Sequence, residues 1–344
     1  MKNILVTGGT GFIGSHTAVL LLELNYNVII IDNLVNSNYS VLQKIKDLGK
    51  NGNLYFFNKN LCDNIDRIFE EHEIDAVIHF AGLKSVNDSI SNPLYYYENN
   101  LVSTINLLKT MQKYNCNHLI FSSSCTIYGS QTVPPVKETD NIGQNITNPY
   151  GETKYMLEKI MMDYCKSNLK CKIIALRYFN PIGAHPSGLI GENPNDKPNN
   201  LMPFILNTAF KNIDVDQDKV RSYLSIFGDN YETRDGTCIR DYIHVMDLAR
   251  SHILGLQKLD KISGYHAINV GTGRGVSVLE LVKIFEKVNG VKVPYKFMKR
   301  RSGDISQIYC ISDKAKDLLN FKPFYDVEDM CKHAWNYKLK SMEF

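Results

Sequence analysis

The sequence has no imbalance of charge, no long apolar run and no paired cysteine motif, and each absence removes a class of protein. With 39 Lys and Arg against 36 Asp and Glu in 344 residues the chain is nearly neutral, which offers no electrostatic footing to nucleic acid or to an anionic membrane surface. No stretch approaches the roughly 18 apolar residues needed to cross a bilayer. The N-terminal residues also lack an apolar segment followed by a small-residue cleavage site, so a cytoplasmic protein with no membrane partner is expected. The eight cysteines, at positions 62, 116, 125, 165, 171, 238, 310 and 331, form no C-x-x-C, which argues against a zinc site or a disulfide framework and for packed, reduced thiols. Asp214, Asp216 and Asp218 imitate the start of a calcium loop, but Lys219 stands where its glycine is obligatory and Ser225 where its closing Glu belongs, so no metal is expected. No period of 20–50 residues is visible, which removes repeat architectures.

What is present begins at residue 7. The run Thr7-Gly8-Gly9-Thr10-Gly11-Phe12-Ile13-Gly14 follows the apolar Ile4-Leu5-Val6 and precedes an apolar helical stretch, the strand–turn–helix context in which such a pattern signals dinucleotide binding. Gly8 permits the tight turn, Gly11 lets backbone amides approach a pyrophosphate, and Gly14 allows the helix to pack closely on the strand. A second strand, Asn27-Val28-Ile29-Ile30-Ile31, ends on Asp32, where a carboxylate accepts hydrogen bonds from a ribose 2′-hydroxyl and repels a 2′-phosphate. No Arg follows nearby, so NAD is favoured over NADP.

Further short β-branched runs at 53–57, 76–80, 118–122 and 171–178 alternate with amphipathic segments near 12–24, 40–48, 64–72, 94–115 and 150–168. Such alternation predicts a doubly wound parallel (Rossmann) α/β sheet with right-handed crossovers. From residue 181 the text becomes turn-rich and polar, which marks a smaller C-terminal α/β lobe. We expect a cofactor-binding domain over 1–180 and a substrate-binding lobe over 181–344, with segments around 235–275 as candidates to return to the main domain. In the lobe, helices are expected near 201–211, 246–259 and 277–289 and strands near 223–227, 266–270 and 293–297.

Two segments of the first domain carry chemistry. Phe121-Ser122-Ser123-Ser124 ends a strand, and Asn148-Pro149-Tyr150-Gly151-Glu152-Thr153-Lys154 opens a helix, with Asn148 suited to its cap and Pro149 to its first position. Tyr150 and Lys154 are then on one helical face. A phenol of ordinary pKa about 10 is no base at neutral pH unless positive charge supports its phenolate. Lys154 and an oxidised nicotinamide supply such charge, and Ser124 is placed to relay the proton.

The glycine run, Ser124, Tyr150 and Lys154 resemble the extended short-chain dehydrogenase/reductase family, and the segments Arg177-Tyr178-Phe179-Asn180-Pro181-Ile182-Gly183-Ala184-His185-Pro186 and Ile239-Arg240-Asp241-Tyr242-Ile243-His244-Val245 are similar to its nucleotide-sugar 4-epimerases. The resemblance runs nearly from end to end. It implies bound NAD contacted by Gly8, Gly11, Phe12, Ile13, Gly14, Asp32, Asn33, Asn60, Leu61, Phe80, Ala81, Gly82, Lys84, Asn99, Tyr150, Lys154 and Tyr178. It implies UDP-galactose and UDP-glucose as substrates, with Ser124 and Tyr150 at the hexose and Lys84, Asn180, Asn200, Leu201, Phe227, Arg240, Arg301, Asp304 and Ile308 elsewhere along the ligand. A C4 hydride would pass to NAD while Tyr150 takes the 4-hydroxyl proton; the 4-keto sugar would then turn and take the hydride back from the other face. A homodimer is implied in the same way.

Rivals within the family are weakened by Cys125 and Thr126, which stand where its dehydratases carry an Asp-Glu pair. A non-catalytic NAD sensor should have lost Tyr150 or Lys154, and both remain. Asn60 replaces the Asp that related epimerases place beside the adenine; an amide can both accept from and donate to that ring. Residues 211–223 form a longer stretch than usual, of no legible role. Ile308 is expected to face the sugar 2-position and to crowd out N-acetylated substrates, although a slip of one residue would put Tyr309 there instead.

Overall fold

The computed structural model describes residues 2–193, 195, 200–213, 219–301 and 303–342; the acidic triplet at 214, 216 and 218 lies outside them. The first half alternates strands β1 (Asn3–Thr7), β2 (Asn27–Asp32), β3 (Leu54–Asn58), β4 (Ala76–His79), β5 (His118–Ser124) and β6 (Lys172–Tyr178) with helices. The helices are α1 (Phe12–Glu23), α2 (Val41–Gly49), α3 (Asp66–Glu71), α4 (Val86–Ser91), α5 (Pro93–Tyr97), α6 (Ser103–Lys113) and α7 (Pro149–Ser167). The strands read as continuous apolar runs because both sheet faces are covered. Ile4, Val6, Val28 and Ile30 enter one core, and the intervening Leu5, Ile29 and Ile31 enter the other.

The single helix expected over 94–115 is a correction: α5 and α6 are separated by a π turn at Glu98–Val102, and α4 precedes them. That turn holds Asn100, which is buried and tied to both Leu83 and Thr153. Its Oδ1 accepts from the Leu83 amide at 2.8 Å, and its Nδ2 donates to the Leu83 carbonyl at 3.0 Å and to Thr153 Oγ1 at 3.1 Å.

The second half supplies β7 (Asn180–Ile182), α8 (Leu201–Lys211), β8 (Leu224–Phe227), β9 (Ile239–His244), α9 (Val245–Lys258), β10 (Gly264–Val270) and β11 (Gly275–Ser277). It ends with α10 (Val278–Asn289), β12 (Tyr295–Met298), β13 (Gln307–Ile308), α11 (Asp313–Leu319) and α12 (Val327–Lys340). β10 lies parallel beside β6, completing a seven-stranded parallel sheet in the order β10-β6-β5-β4-β1-β2-β3. Around β9 gather β7, β11 and β13, while β8 pairs with β12. Behind them α8, α10 and α12 enclose a separate core containing Ile205, Phe285 and Trp335. Among the described residues no helix is long and apolar enough to cross a membrane. Of the eight cysteines, all free, only Cys62 is exposed.

The strand order reverses between β1 and β4, and in such sheets ligands bind outside the carboxyl ends at that point. Two loops meet there. Gly8, at φ +67°, approaches so closely that a Cβ on it would lie 2.7 Å from the Ala81 amide nitrogen, so any side chain would push the two loops apart.

Candidate functional site

At the glycine turn, α1 begins at Gly11 with no side-chain cap, leaving its first amides without an intrahelical partner. A Cβ on Gly11 would meet only the Gly8 carbonyl, at 3.3 Å, whereas one on Gly14 would lie 2.3 Å from that same oxygen. Gly11 therefore opens towards space and Gly14 serves close packing. Asp32 ends β2 with its carboxylate fixed by the Thr10 amide at 3.1 Å, the Leu34 amide at 2.9 Å and Ser37 Oγ at 3.2 Å. Bare helix amides for a pyrophosphate and an oriented carboxylate for a ribose fit a dinucleotide. Gly8, Gly11 and Asp32 would hold it, with Phe80, Ala81 and Asn99 lining the same cavity.

The second group is set by α7. Asn148 caps it by accepting from the Gly151 amide at 2.8 Å, and Pro149 occupies its first position. One turn apart, Tyr150 and Lys154 turn toward Ser124 at the end of β5. The helix is held in that rotation by Glu158, one turn further on, which is buried and pairs with Arg177 of β6 at 2.6 Å while accepting from Ser123. Removing either partner of such a buried pair would leave an uncompensated charge in the core.

Lys154 Nζ donates to the Ser122 carbonyl at 2.7 Å and lies 5.8 Å from the Tyr150 ring centre. Burial lowers the Lys154 ammonium to about 8, with Glu158 opposing the shift. Burial likewise lifts the Tyr150 phenol to about 12, and the hydrogen bond from Ser124 offsets only part of that rise. The chain's own groups thus leave Tyr150 protonated at neutral pH; a further positive charge beside it is required to make it a base.

Both groups open into one cavity of about 1610 Å³, above the usual 300–1,000 Å³ of a single small-molecule site. All the residues expected from the sequence to contact cofactor or substrate line it, including the distant Asn180, Asn200, Leu201, Phe227, Arg240, Arg301, Asp304 and Ile308. The Arg301 guanidinium lies 3.9 Å from the Phe227 ring centre, and Thr147 Oγ1 donates to the Gly303 carbonyl at 3.2 Å, tying the Asp304 loop to the start of α7. Ile308 pairs with Arg240 across β13 and β9 and faces the cavity, whereas the Tyr309 ring faces Gly275. Geometry adds two residues that the sequence reading does not name, Asn100 and Glu192. The neighbour of Asn99 could have been suspected; Glu192 meets Lys84 across 108 residues, and no local pattern announces that.

These features fit an enzyme that works with a dinucleotide, and residues 4–271 match the NAD dependent epimerase/dehydratase family, so the chain belongs to that family. It is 48% identical over 341 residues to UDP-glucose 4-epimerase 2 of Arabidopsis thaliana, covering 98% of this chain and 95% of that protein. It is 47% identical over 338 residues to the UDP-glucose 4-epimerase of Bacillus subtilis (strain 168), covering 97% and 96%. Among solved structures, the UDP-glucose 4-epimerase of Bifidobacterium longum in complex with NAD+ and UDP superimposes with a TM-score of 0.92 at 41% identity, covering 99% of both chains.

Proposed function

We propose that the chain interconverts UDP-galactose and UDP-glucose with NAD as its resident cofactor, and that Tyr150 is the base that takes the proton of the hexose 4-hydroxyl. The observation that carries this is the meeting of Tyr150, Lys154 and Ser124 in the same cavity as the uncapped glycine turn and Asp32. Bound there, NAD supplies a positive ring that accepts a hydride from the sugar and returns it.

The chain's residues do the rest. Ser124 hydrogen-bonds the Tyr150 oxygen and offers the sugar hydroxyl a path for its proton. Lys154, fixed on the Ser122 carbonyl, stays beside the ring, where its charge opposes reprotonation of the phenolate. Arg240 and Arg301 provide guanidinium forks for a diphosphate, and Asp304 an acceptor for ribose hydroxyls. Gripping the nucleotide while leaving the hexose loosely held is what allows either face of C4 to be presented. Cys125 and Thr126 supply no acid–base pair for dehydration.

The reading extends to a cytoplasmic homodimer. Free, mostly buried thiols suit a reducing compartment. The exposed apolar residues Ile90, Leu94, Tyr95, Val102 and Met156 on the α4–α7 side offer a surface for a second copy.

The test is incubation of the purified protein with UDP-galactose. Expected are UDP-glucose as product and NAD retained through purification; a protein that leaves UDP-galactose unchanged, or that works fully with no nicotinamide nucleotide bound, would defeat the proposal.

A further inference from the structure

Glu192 lines the same cavity, yet it has no part in the chemistry assigned above. Its Oε1 accepts from Lys84 Nζ at 3.1 Å and from Asn200 Nδ2 at 2.7 Å. Lys84 arrives on the loop after β4, and Asn200 stands at the start of α8, so one carboxylate oxygen joins the sheet wall of the cavity to the lobe wall.

A carboxylate lining a cavity read as taking an anionic nucleotide-sugar disfavours that ligand, so its presence there lowers affinity unless it acts in another way. Fold stability does not account for it. The Glu192 side chain is 9% exposed but that of Lys84 is 49% exposed, and ion pairs open to water to that degree contribute about 0–1 kcal/mol. What the contact does restrict is a long lysine side chain and the direction of an amide, and ordering such groups before binding lessens the entropy lost on binding.

We infer that Glu192 is a positioning residue for the nucleotide-sugar, presetting Lys84 and Asn200 at the place where the two walls of the cavity meet. The inference rests on the UDP-sugar reading given above. It predicts an effect on substrate affinity without an equal effect on the chemical step.

The experiment is steady-state kinetics with UDP-galactose on the wild-type chain, Glu192→Ala, Glu192→Gln, Lys84→Ala and the Glu192→Ala/Lys84→Ala double variant. Calorimetric titration of each protein with UDP-glucose reads affinity independently of turnover. Glu192→Ala is expected to raise KM about fivefold with kcat within about twofold, and in the Lys84→Ala background its effect on KM should fall to less than half. Glu192→Gln, which keeps an acceptor oxygen in the same place, should recover part of the loss; it also carries the test should the alanine variant fold poorly. An unchanged KM, a kcat that falls as much as KM rises, or a full effect persisting without Lys84 overturns the inference. A wild-type chain that neither converts UDP-galactose nor binds UDP-glucose overturns the substrate reading, and this inference with it; normal wild-type turnover with a neutral Glu192→Ala overturns this inference alone.

Discussion

The sheet half and the second lobe build their shares of one cavity in opposite ways. In the sheet, Gly8, Gly11 and Asp32 come from one continuous β1–α1–β2 stretch, and Tyr150 and Lys154 from one helix turn, so short-range order along the chain sets the spacing of the groups proposed to react. In the lobe, Asn180, Asn200, Phe227, Arg240 and Ile308 come from five separate elements, two of them strands of only 3 and 2 residues. The lesson is a division of labour. The groups proposed for chemistry are set by neighbours along the chain, and those proposed for recognition are gathered from pieces far apart in it.

The largest effect should come from Tyr150→Phe, which keeps the ring and removes the ionisable oxygen. Turnover of UDP-galactose is expected to fall about 10²- to 10⁴-fold, the range for loss of a general base, with NAD content and UDP affinity unchanged. Near-normal turnover with an unaltered pH profile would break the comparison at its first half.

Acidification asks whether the two halves stand as one unit. Burial depresses the imidazoles of His16 and His79 to about 3, His244 to about 2 and His252 to about 4. Below pH about 6.5 the unfolded chain takes up protons that the folded chain refuses. Stability present above that pH is therefore lost as pH falls towards the folded values, by up to about 1.4 kcal/mol per unit for each histidine. His244 accepts from the Met246 amide at 3.0 Å through Nδ1, so its Nε2 carries the proton and donates to His333 of α12 at 2.9 Å. That contact reaches from the start of α9, which packs on α1, into the lobe. Calorimetry between pH 7 and 4 should show one transition moving down; two that separate would show the halves to be independent.

The smallest effect concerns the lobe. Ile308→Cys, which trims a buried side chain facing the cavity, should raise activity on UDP-N-acetylgalactosamine about fivefold while leaving UDP-galactose turnover nearly unchanged, the scale expected when overpacking is relieved. Equal use of both sugars by the unaltered chain would remove Ile308 as the selecting residue.

How much of this was legible in the sequence follows the same division. β1 to β6 and the glycine turn could be read because period, turn chemistry and apolar runs agree locally. β7, β11 and β13, of 3, 3 and 2 residues, are strands only because β9 lies beside them, and β9 itself reads as a motif without revealing what it pairs with. α12 lay within reach, since Val327, Met330, Cys331 and Ala334 repeat at helical spacing behind a box of Asp326 and Asp329, yet the sequence reading leaves it unassigned. In the cavity, the lobe residues were named through resemblance alone. Glu192 carries no local signal, because its meaning lies in two partners far off along the chain. The π turn was hidden as well: the pattern over 94–115 continues through it, and nothing marks the residue that does not fit.

That surplus residue gives the protein an unusual relation to its own length. Removing one residue within Glu98–Val102 would let α5 and α6 fuse into an ordinary helix, locally the better-bonded structure. Within the turn itself one place fewer would remain, so Asn99 could no longer face the cavity while Asn100 holds Leu83 and Thr153. The shorter chain would gain a smoother helix and lose the tie between the Lys84 loop and the first turn of α7. At this place in the fold, a count of residues is itself part of the site.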